Sequence, residues 1–265
     1  MQIEGAHVVV TGAASGIGAA LARRFAAEGA RAVVVADRDP TGIERVAAEI
    51  AATGSQARAV TCDVTQALQV QGLVDDTEAE FGPIDLFCSN AGVIALGGAE
   101  ASDAEWRLSI DVNVMAHVYA ARVLVPRMLE RGGGYLLQTA SAAGLLTQLG
   151  SAPYSVSKHA ALAFAEWLAI TYGDAGLKVS VLAPQAVRTA MTAGVVDGGV
   201  AGVDGMLEPD DVAGAVVAGL DAEAFLILPH PEVLEYFRRK ASDYERWLNG
   251  MRRLQTRFGG AGTPT

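Results

Sequence analysis

Hydrophobic positions along the chain alternate between two patterns. Short continuous apolar runs recur at "HVVVTG", "RAVVVAD", "ARAVTCD", "IDLFCSNAG", "GYLLQTAS", "KVSVLAP" and "AFLILP". Such runs, rich in β-branched residues and bounded by turn formers, are what strands buried on both faces require. Between them apolar residues return three and four positions apart, the helical period. These helical stretches cover about 17–28, 41–52, 67–81, 103–131, 154–172 and 209–220. Strands alternating with helices predict a parallel sheet covered on both faces, a doubly wound α/β fold with ligands at the carboxyl ends of the strands. No linker or internal repeat interrupts the alternation. Residues 1–258 are therefore expected to form one domain, with a helical extension over about 232–258 and a flexible tail at 259–265.

Two stretches depart from the pattern. Residues 193–207, "AGVVDGGVAGVDGML", are glycine-rich and lie between a strand and a helix, so they read as a surface loop or as a mobile lid over a site. Residues 232–258 carry seven Arg and Lys against four Asp and Glu, one basic piece on an acidic chain. That extension is expected to pack on an acidic neighbour, to cover a site, or to stand solvated.

Composition narrows the function classes. Hydrophobic residues make up 51% of the 265, ample for a core. Lys and Arg number 20 against 30 Asp and Glu, a net charge of −10, which argues against non-specific nucleic-acid binding. The two cysteines, Cys62 and Cys88, each end an apolar run and read as buried thiols. No export signal opens the chain, and no apolar run is expected to reach the ~18 residues of a membrane span. A cytoplasmic protein with no membrane partner is the expectation. The histidines are scattered without ligand spacing, so no metal is expected.

Candidate chemistry begins in the first strand–helix turn. The strand at Val8–Val10 runs into Thr11-Gly12-Ala13-Ala14-Ser15-Gly16-Ile17-Gly18, and a helix follows. Glycines permit a tight turn and close approach to a pyrophosphate, while the helix N-terminus offers free N–H groups. Gly12, Ser15, Gly16, Ile17 and Gly18 are therefore candidate coenzyme contacts. The second strand ends at Asp37, where an acid hydrogen-bonds the adenosine ribose and repels a 2′-phosphate. Asp37 predicts NAD in preference to NADP, although Arg38 beside it offers a possible phosphate partner. The third strand ends in Cys62-Asp63-Val64, where Asp63 could meet the adenine amino group or cap the following helix.

Further on, Ser141 closes the fifth strand, and Tyr154 and Lys158 lie four apart on one helix, which puts them on one face. With "TGAASGIG", "SNAG", Asn113, Ser141, "YSVSK" and "PQAVRT" in this order and spacing, the chain resembles the short-chain dehydrogenase/reductase family over nearly its whole length. The resemblance implies a Rossmann-like domain with a seven-stranded parallel sheet and a catalytic set of Asn113, Ser141, Tyr154 and Lys158. It implies that Asn90, Ala91 and Gly92 line the adenosine side, that Lys158 also bonds the nicotinamide ribose, and that Pro184, Val187 and Thr189 contact the coenzyme. It further implies that Asn113 holds a water linking the lysine to solvent. Gln185 departs from the glycine more usual after the proline and is expected to project toward substrate.

The implied reaction is interconversion of a secondary alcohol and a ketone. A phenol near ~10 is a poor base at neutrality, and an adjacent ammonium favours its ionised form. Lys158 and a positive nicotinamide are expected to lower Tyr154, while Ser141 donates a hydrogen bond to the substrate oxygen. Substrate contacts are expected from Ser141, Ala143, Leu145, Tyr154, Gln185 and Met191. The apolar loops 94–98, 142–148 and 191–206 suit an apolar substrate, though ordinary loop packing explains them equally. Arg188 is the one nearby candidate for binding a carboxylate. Apolar stripes at Ala160, Phe164, Trp167 and Thr171, and at Val118, Ala121 and Val125, predict a homotetramer or homodimer. A 3-oxoacyl carrier-protein reductase would want NADP and a basic surface. A halohydrin-cleaving lyase would lack the glycine turn and the lysine. A silent nucleotide-binding module would have no use for the complete Asn-Ser-Tyr-Lys set.

Overall fold

The computed structural model describes residues 1–258; the expected tail at 259–265 lies outside the described residues. Seven strands form one parallel sheet: β1 His7–Thr11, β2 Ala32–Asp37, β3 Gln56–Thr61, β4 Leu86–Ser89, β5 Gly134–Thr139, β6 Leu177–Leu182 and β7 Leu226–Ile227. Their order is β3-β2-β1-β4-β5-β6-β7. The chain leaves β1 toward one edge and β4 toward the other. The carboxyl ends of β1 and β4 therefore bound the crevice where doubly wound folds bind ligands.

Both faces of the central strands are buried, because successive side chains point to opposite layers. Val8 and Val10 pack with Leu21 and Phe25 of α1 (Gly16–Ala27), Ile43 and Val46 of α2 (Pro40–Ala51), and Val212 and Val216 of α8 (Pro209–Asp221). Val9 packs on the other face with Leu73 of α3 (Ala67–Phe81), Leu124 of α5 (Ala116–Glu130) and Leu168 of α7 (Ala152–Tyr172). In register, Val9 lies between Val34 and Phe87. Edge strand β3 is only half-buried, and Arg58 on it pairs with Glu80 of α3.

Helix starts follow local chemistry. Pro40 and Pro209 open α2 and α8, where a missing N–H costs nothing. Ser102 and Glu105 form a reciprocal capping box at α4 (Asp103–Ile110). The expected helix over 103–131 is not uniform: α4 passes through a π-helical turn, Asp111–Met115, before α5 begins. This continuous helical stretch, Asp103–Glu130, has mean hydropathy 1.3 over its most apolar 18-residue window, enough by length and composition to cross a membrane. That corrects the sequence expectation. Half of the window is packed inside the domain, as in a core helix.

Other expectations also change. The extension is two helices, α9 (Glu232–Ser242) and α10 (Tyr244–Phe258), because Asp243 leaves helical geometry and accepts the Arg246 N–H at 3.0 Å. Ala121 and Val125 are buried within the chain itself, so the expected open stripe on α5 does not exist there. On α7, Trp167 is 52% exposed and Ile170 84%. The stretch 193–207 is no plain loop. It contains short 3-10 turns within Val196–Gly202, broken by a kink at Asp197, Gly198 and Gly199 where φ is positive, and is tied back through Ala186 N–H to Ala201 O at 3.0 Å and Arg188 N–H to Leu207 O at 2.9 Å.

Candidate active site

One cavity of about 640 Å³ runs along the carboxyl edge of the sheet. Its floor at one end is the glycine turn between β1 and α1. Gly12 and Gly16 have φ of 66° and 54°, values that suit glycine. A Cβ on Gly18 would lie 2.1 Å from Gly12 O, and one on Gly12 2.7 Å from Ala91 Cα. The turn is therefore packed backbone against backbone. The first N–H groups of α1 open onto the cavity, with Ser15 at the N-cap and no side-chain cap bond. This is the cradle a pyrophosphate needs.

Asn90 holds this floor together. Its Nδ2 donates to Thr11 O at 3.1 Å, and its Oδ1 accepts from Thr139 Oγ1 at 3.1 Å, pinning the ends of β1, β4 and β5. The backbone N–H groups of Asn90 and Ala91 both donate to Thr11 Oγ1, at 3.0 and 3.2 Å. Thr11 and Thr139 therefore support the site although neither stood out in the sequence. A threonine at the end of each strand, beside the glycine turn and Ser141, was the available signal.

Gly12, Ser15, Gly16, Ile17 and Gly18 all line this cavity, as do Asp37, Arg38, Asp63 and Val64. Asn90, Ala91, Gly92, Pro184, Val187 and Thr189 line it too. Asp37 accepts the Ala14 N–H at 3.2 Å through Oδ2 and the Asp39 N–H at 3.2 Å through Oδ1. Asp63 does not cap α3, whose N-cap is Gln66. Its Oδ1 instead accepts from the Thr65 N–H and hydroxyl at 2.9 and 2.8 Å. Cys62, also in the wall, is kept a thiol by burial and then by the charges of Asp63 and Asp37, which push it up to about 11.

At the other end stand Ser141, Tyr154 and Lys158, brought together from the turn just past β5 and from α7. Ser141 Oγ accepts the Ala143 N–H at 3.1 Å. Lys158 Nζ donates to Thr139 O at 2.9 Å and lies 5.7 Å from the Tyr154 ring centroid. Asn113 is set apart from them, fully buried in the π-helical turn and outside the cavity wall. Its Oδ1 accepts the Val93 N–H, and its Nδ2 donates to Val93 O and Ser157 Oγ, each at 2.9 Å. Its amide thus fixes the chain after β4. Ser157, next to Lys158 in "YSVSK", is a supporting residue the sequence reading passed over. Asn113 Oδ1 and Lys158 Nζ both stand 3.4 Å from where a Cβ on Gly92 would be, so the two flank Gly92 at about contact distance.

The electrostatics differ from expectation in one respect. Burial lowers the Lys158 ammonium to about 8. Burial raises the Tyr154 phenol, against the opposing pull of the Ser141 hydroxyl. In the chain alone burial outweighs Lys158, because a phenolate loses its hydration and Lys158 directs its bond to Thr139 O; the expected lowering of Tyr154 also calls on the positive nicotinamide.

On the substrate side, Gln185 and Met191 line the cavity with Ile94, Leu108 and Val112, an apolar wall. Ala143 and Leu145 do not line it. Both are buried, and Leu145 packs in the core beside Leu162, because α6 (Ala143–Leu146) turns inward against α7. Gln185 has its amide oxygen buried without a partner, while its N–H donates to His230 Nδ1 at 3.2 Å. Arg188 is paired with Glu208 at 2.8 Å and lies outside the wall. Among the described residues no three His, Cys, Asp or Glu side chains gather as a metal site.

A parallel sheet with a glycine-lined phosphate cradle, an acid after β2, and a Ser-Tyr-Lys cluster in the same cavity defines a nucleotide-dependent oxidoreductase. Residues 6–198 match the short chain dehydrogenase family, and the chain belongs to it. The chain is 41% identical over 253 residues to a 1-deoxy-11-beta-hydroxypentalenate dehydrogenase of Streptomyces exfoliatus, covering 94% of this chain and 92% of that one. It is 35% identical to a D-threitol dehydrogenase of Mycolicibacterium smegmatis over 72% of this chain and 73% of that one. Its fold superposes on a short chain dehydrogenase/reductase from Burkholderia phymatum in complex with NAD. That match has a TM-score of 0.85 and 31% identity, covering 92% of this chain and 96% of that one.

Proposed function

We propose that this oxidoreductase interconverts a secondary alcohol and a ketone, using NAD as hydride carrier and Tyr154 as general acid and base. The observation that carries this reading is the single cavity joining the glycine cradle and Asp37 to Ser141, Tyr154 and Lys158. The Streptomyces relative is named for a hydroxypentalenate and the Mycolicibacterium relative for threitol, which supports an alcohol as substrate class. The apolar wall of Ile94, Leu108, Val112 and Met191 favours an apolar alcohol. Asp37 favours NAD, because a carboxylate there accepts ribose hydroxyls and repels a 2′-phosphate.

The glycine cradle, Asp37 and Lys158 would hold the coenzyme, which would supply a hydride acceptor or donor and, when oxidised, a positive charge in the cavity. In oxidation the Tyr154 phenolate takes the hydroxyl proton while the carbon loses its hydride, leaving a ketone. In reduction the phenol returns that proton. Ser141 donates a hydrogen bond to the substrate oxygen, fixing it and steadying the charge that develops on it. Bringing an ordinary phenol from ~10 to neutrality needs roughly 4 kcal/mol of favourable charge interaction, and the burial of Tyr154 adds to that. Lys158, with its pKa at about 8, keeps its proton at neutral pH and contributes to that. Asn113 holds the wall behind Lys158, and the water-mediated path to solvent that the family resemblance implies belongs to the same proposal. So do a cytoplasmic location and a homotetramer or homodimer in which a partner covers Trp167 and Ile170.

A spectrophotometric screen of secondary alcohols with NAD⁺, including sterols, cyclic alcohols and aryl carbinols, tests the reaction through NADH absorbance. Separate titrations with NADH and NADPH test Asp37, and NADH is expected to bind at least about tenfold tighter. Tighter NADPH binding overturns the coenzyme assignment. Absence of turnover with either nucleotide overturns the reaction.

A further inference from the structure

The catalytic serine is held from a direction remote in sequence. Ser141 Oγ takes its hydrogen bond from the Ala143 N–H, the first residue of α6. α6 has only four residues, too few to hold a helical turn without outside support. One support is α7: a Cβ on Gly144 would meet Lys158 O at 2.6 Å, so α6 rests on the backbone of the catalytic lysine. Just past the other end, Thr147 sits at φ 77°, in the left-handed region that a β-branched residue adopts only under constraint.

Gln148, next to Thr147, is held by Ser155 of α7, whose Oγ accepts the Gln148 N–H at 2.8 Å; a further support comes from the C-terminal extension. Lys240 of α9, 7% exposed, donates from Nζ to Leu145 O at 2.6 Å. That carbonyl is among those a helix end leaves without a backbone partner, and a cation at a helix C-terminus is favourable. The ammonium lies 5.0 Å from the Trp247 ring centroid and 5.8 Å from that of Tyr244. These aromatic faces replace part of its lost hydration. Burial pushes Lys240 downward, because the ammonium gives up part of its hydration. An apolar side chain would join α9 to α6 without that cost. A charged donor aimed at one carbonyl instead fixes where α6 sits.

We propose that Lys240 is a positioning residue for the Ser141 hydroxyl, acting through Leu145 O and α6 on the Ala143 N–H. The proposal rests on the reading of Ser141 as hydrogen-bond donor to the substrate oxygen. The extension, basic on an acidic chain, is thereby a working part of its own chain's active site.

The test uses Lys240→Met and Lys240→Arg in the full chain, each alone and combined with Ser141→Ala. Lys240→Met is expected to lower kcat about tenfold, with the NADH Kd within about twofold of wild type. Lys240→Arg keeps a charged donor, guards against a simple folding defect, and is expected to recover most of that loss. On the Ser141→Ala background, Lys240→Met is expected to cost less than about twofold more, because both changes act on one hydroxyl. Amide exchange over 143–149 is expected to quicken in Lys240→Met while β1 and β4 keep their protection. An equal loss on both backgrounds, or an unchanged kcat, overturns the proposal. If the wild-type chain oxidises no alcohol, the functional reading falls separately. Unchanged exchange over 143–149 then overturns the role of Lys240 on its own.

Discussion

The two ends of the cavity are made of different material. At the coenzyme end the surface is largely backbone: Gly12, Gly16 and Gly18, the first N–H groups of α1, and the chain at Asn90 and Ala91. At the substrate end it is side chains: Ser141, Tyr154, Gln185 and Met191. Their supports come from α6, α9 and His230 through a few hydrogen bonds. A backbone surface depends on where a Cβ is absent, so it is rigid and intolerant of change. A side-chain surface depends on burial and neighbours, so its proton affinities and shape can be tuned. The two ends should therefore fail independently.

The sharpest way to break that comparison is Tyr154→Phe. Removing the hydroxyl deletes the group proposed to give and take the proton while keeping the aromatic ring in place. A loss in kcat/KM of about 10³-fold or more is expected, with NADH affinity within a few-fold of wild type. Steady-state kinetics and fluorescence titration on one preparation check both. If affinity fell in step with turnover, the two ends would not be separable.

Gly18→Ala attacks the other end. Its Cβ would lie 2.1 Å from Gly12 O and 2.6 Å from Asn90 Nδ2. Asn90 bridges three strand ends, so the clash cannot relax locally. A destabilisation of about 2–4 kcal/mol is expected, together with loss of the rise in Tm that NADH gives the wild type. Thermal melts with and without NADH check this. Wild-type affinity in Gly18→Ala would refute a backbone-built cradle.

The same contrast explains what was legible beforehand. Glycine spacing, the acid ending β2 and the strand–helix alternation are written directly in residue types, so the coenzyme end and the sheet could be read. Tyr154, Lys158 and Ser141 were legible because their spacing on one helix and one strand end is local. The direction of the Tyr154 shift was not, because desolvation depends on everything packed around the ring. Nor was the π-helical turn at Asn113, where no glycine or proline marks the change. The inward turn of Ala143 and Leu145 depends on α7 and α9, elements distant in sequence. The break at Asp243 did leave a signal, an aspartate placed to cap Arg246, that helical periodicity alone overlooks.

The smallest expected effect asks which end makes the fold sensitive to acid. His117 is 1% exposed, and neither ring nitrogen has a partner. Burial, and then the charge of Lys158, lowers it to about 3. The unfolded chain therefore takes up a proton near the ordinary histidine value of about 6.5, while the fold takes it up only near 3. Between those values the unfolded state binds more protons, so stability rises with pH and is lost as pH falls through about 6.5. At about pH 5 the cost from His117 is roughly 2 kcal/mol relative to neutral pH. His7 and His230 are also lowered by burial, but both persist in a His117→Leu variant, so the difference from wild type isolates His117. Urea unfolding at about pH 7.5 and about pH 5 is expected to show a smaller acid loss in His117→Leu. An equal loss would place the acid sensitivity elsewhere. A smaller one would trace it to the side-chain end, where the buried imidazole of His117 feels the charge of the buried Lys158 ammonium.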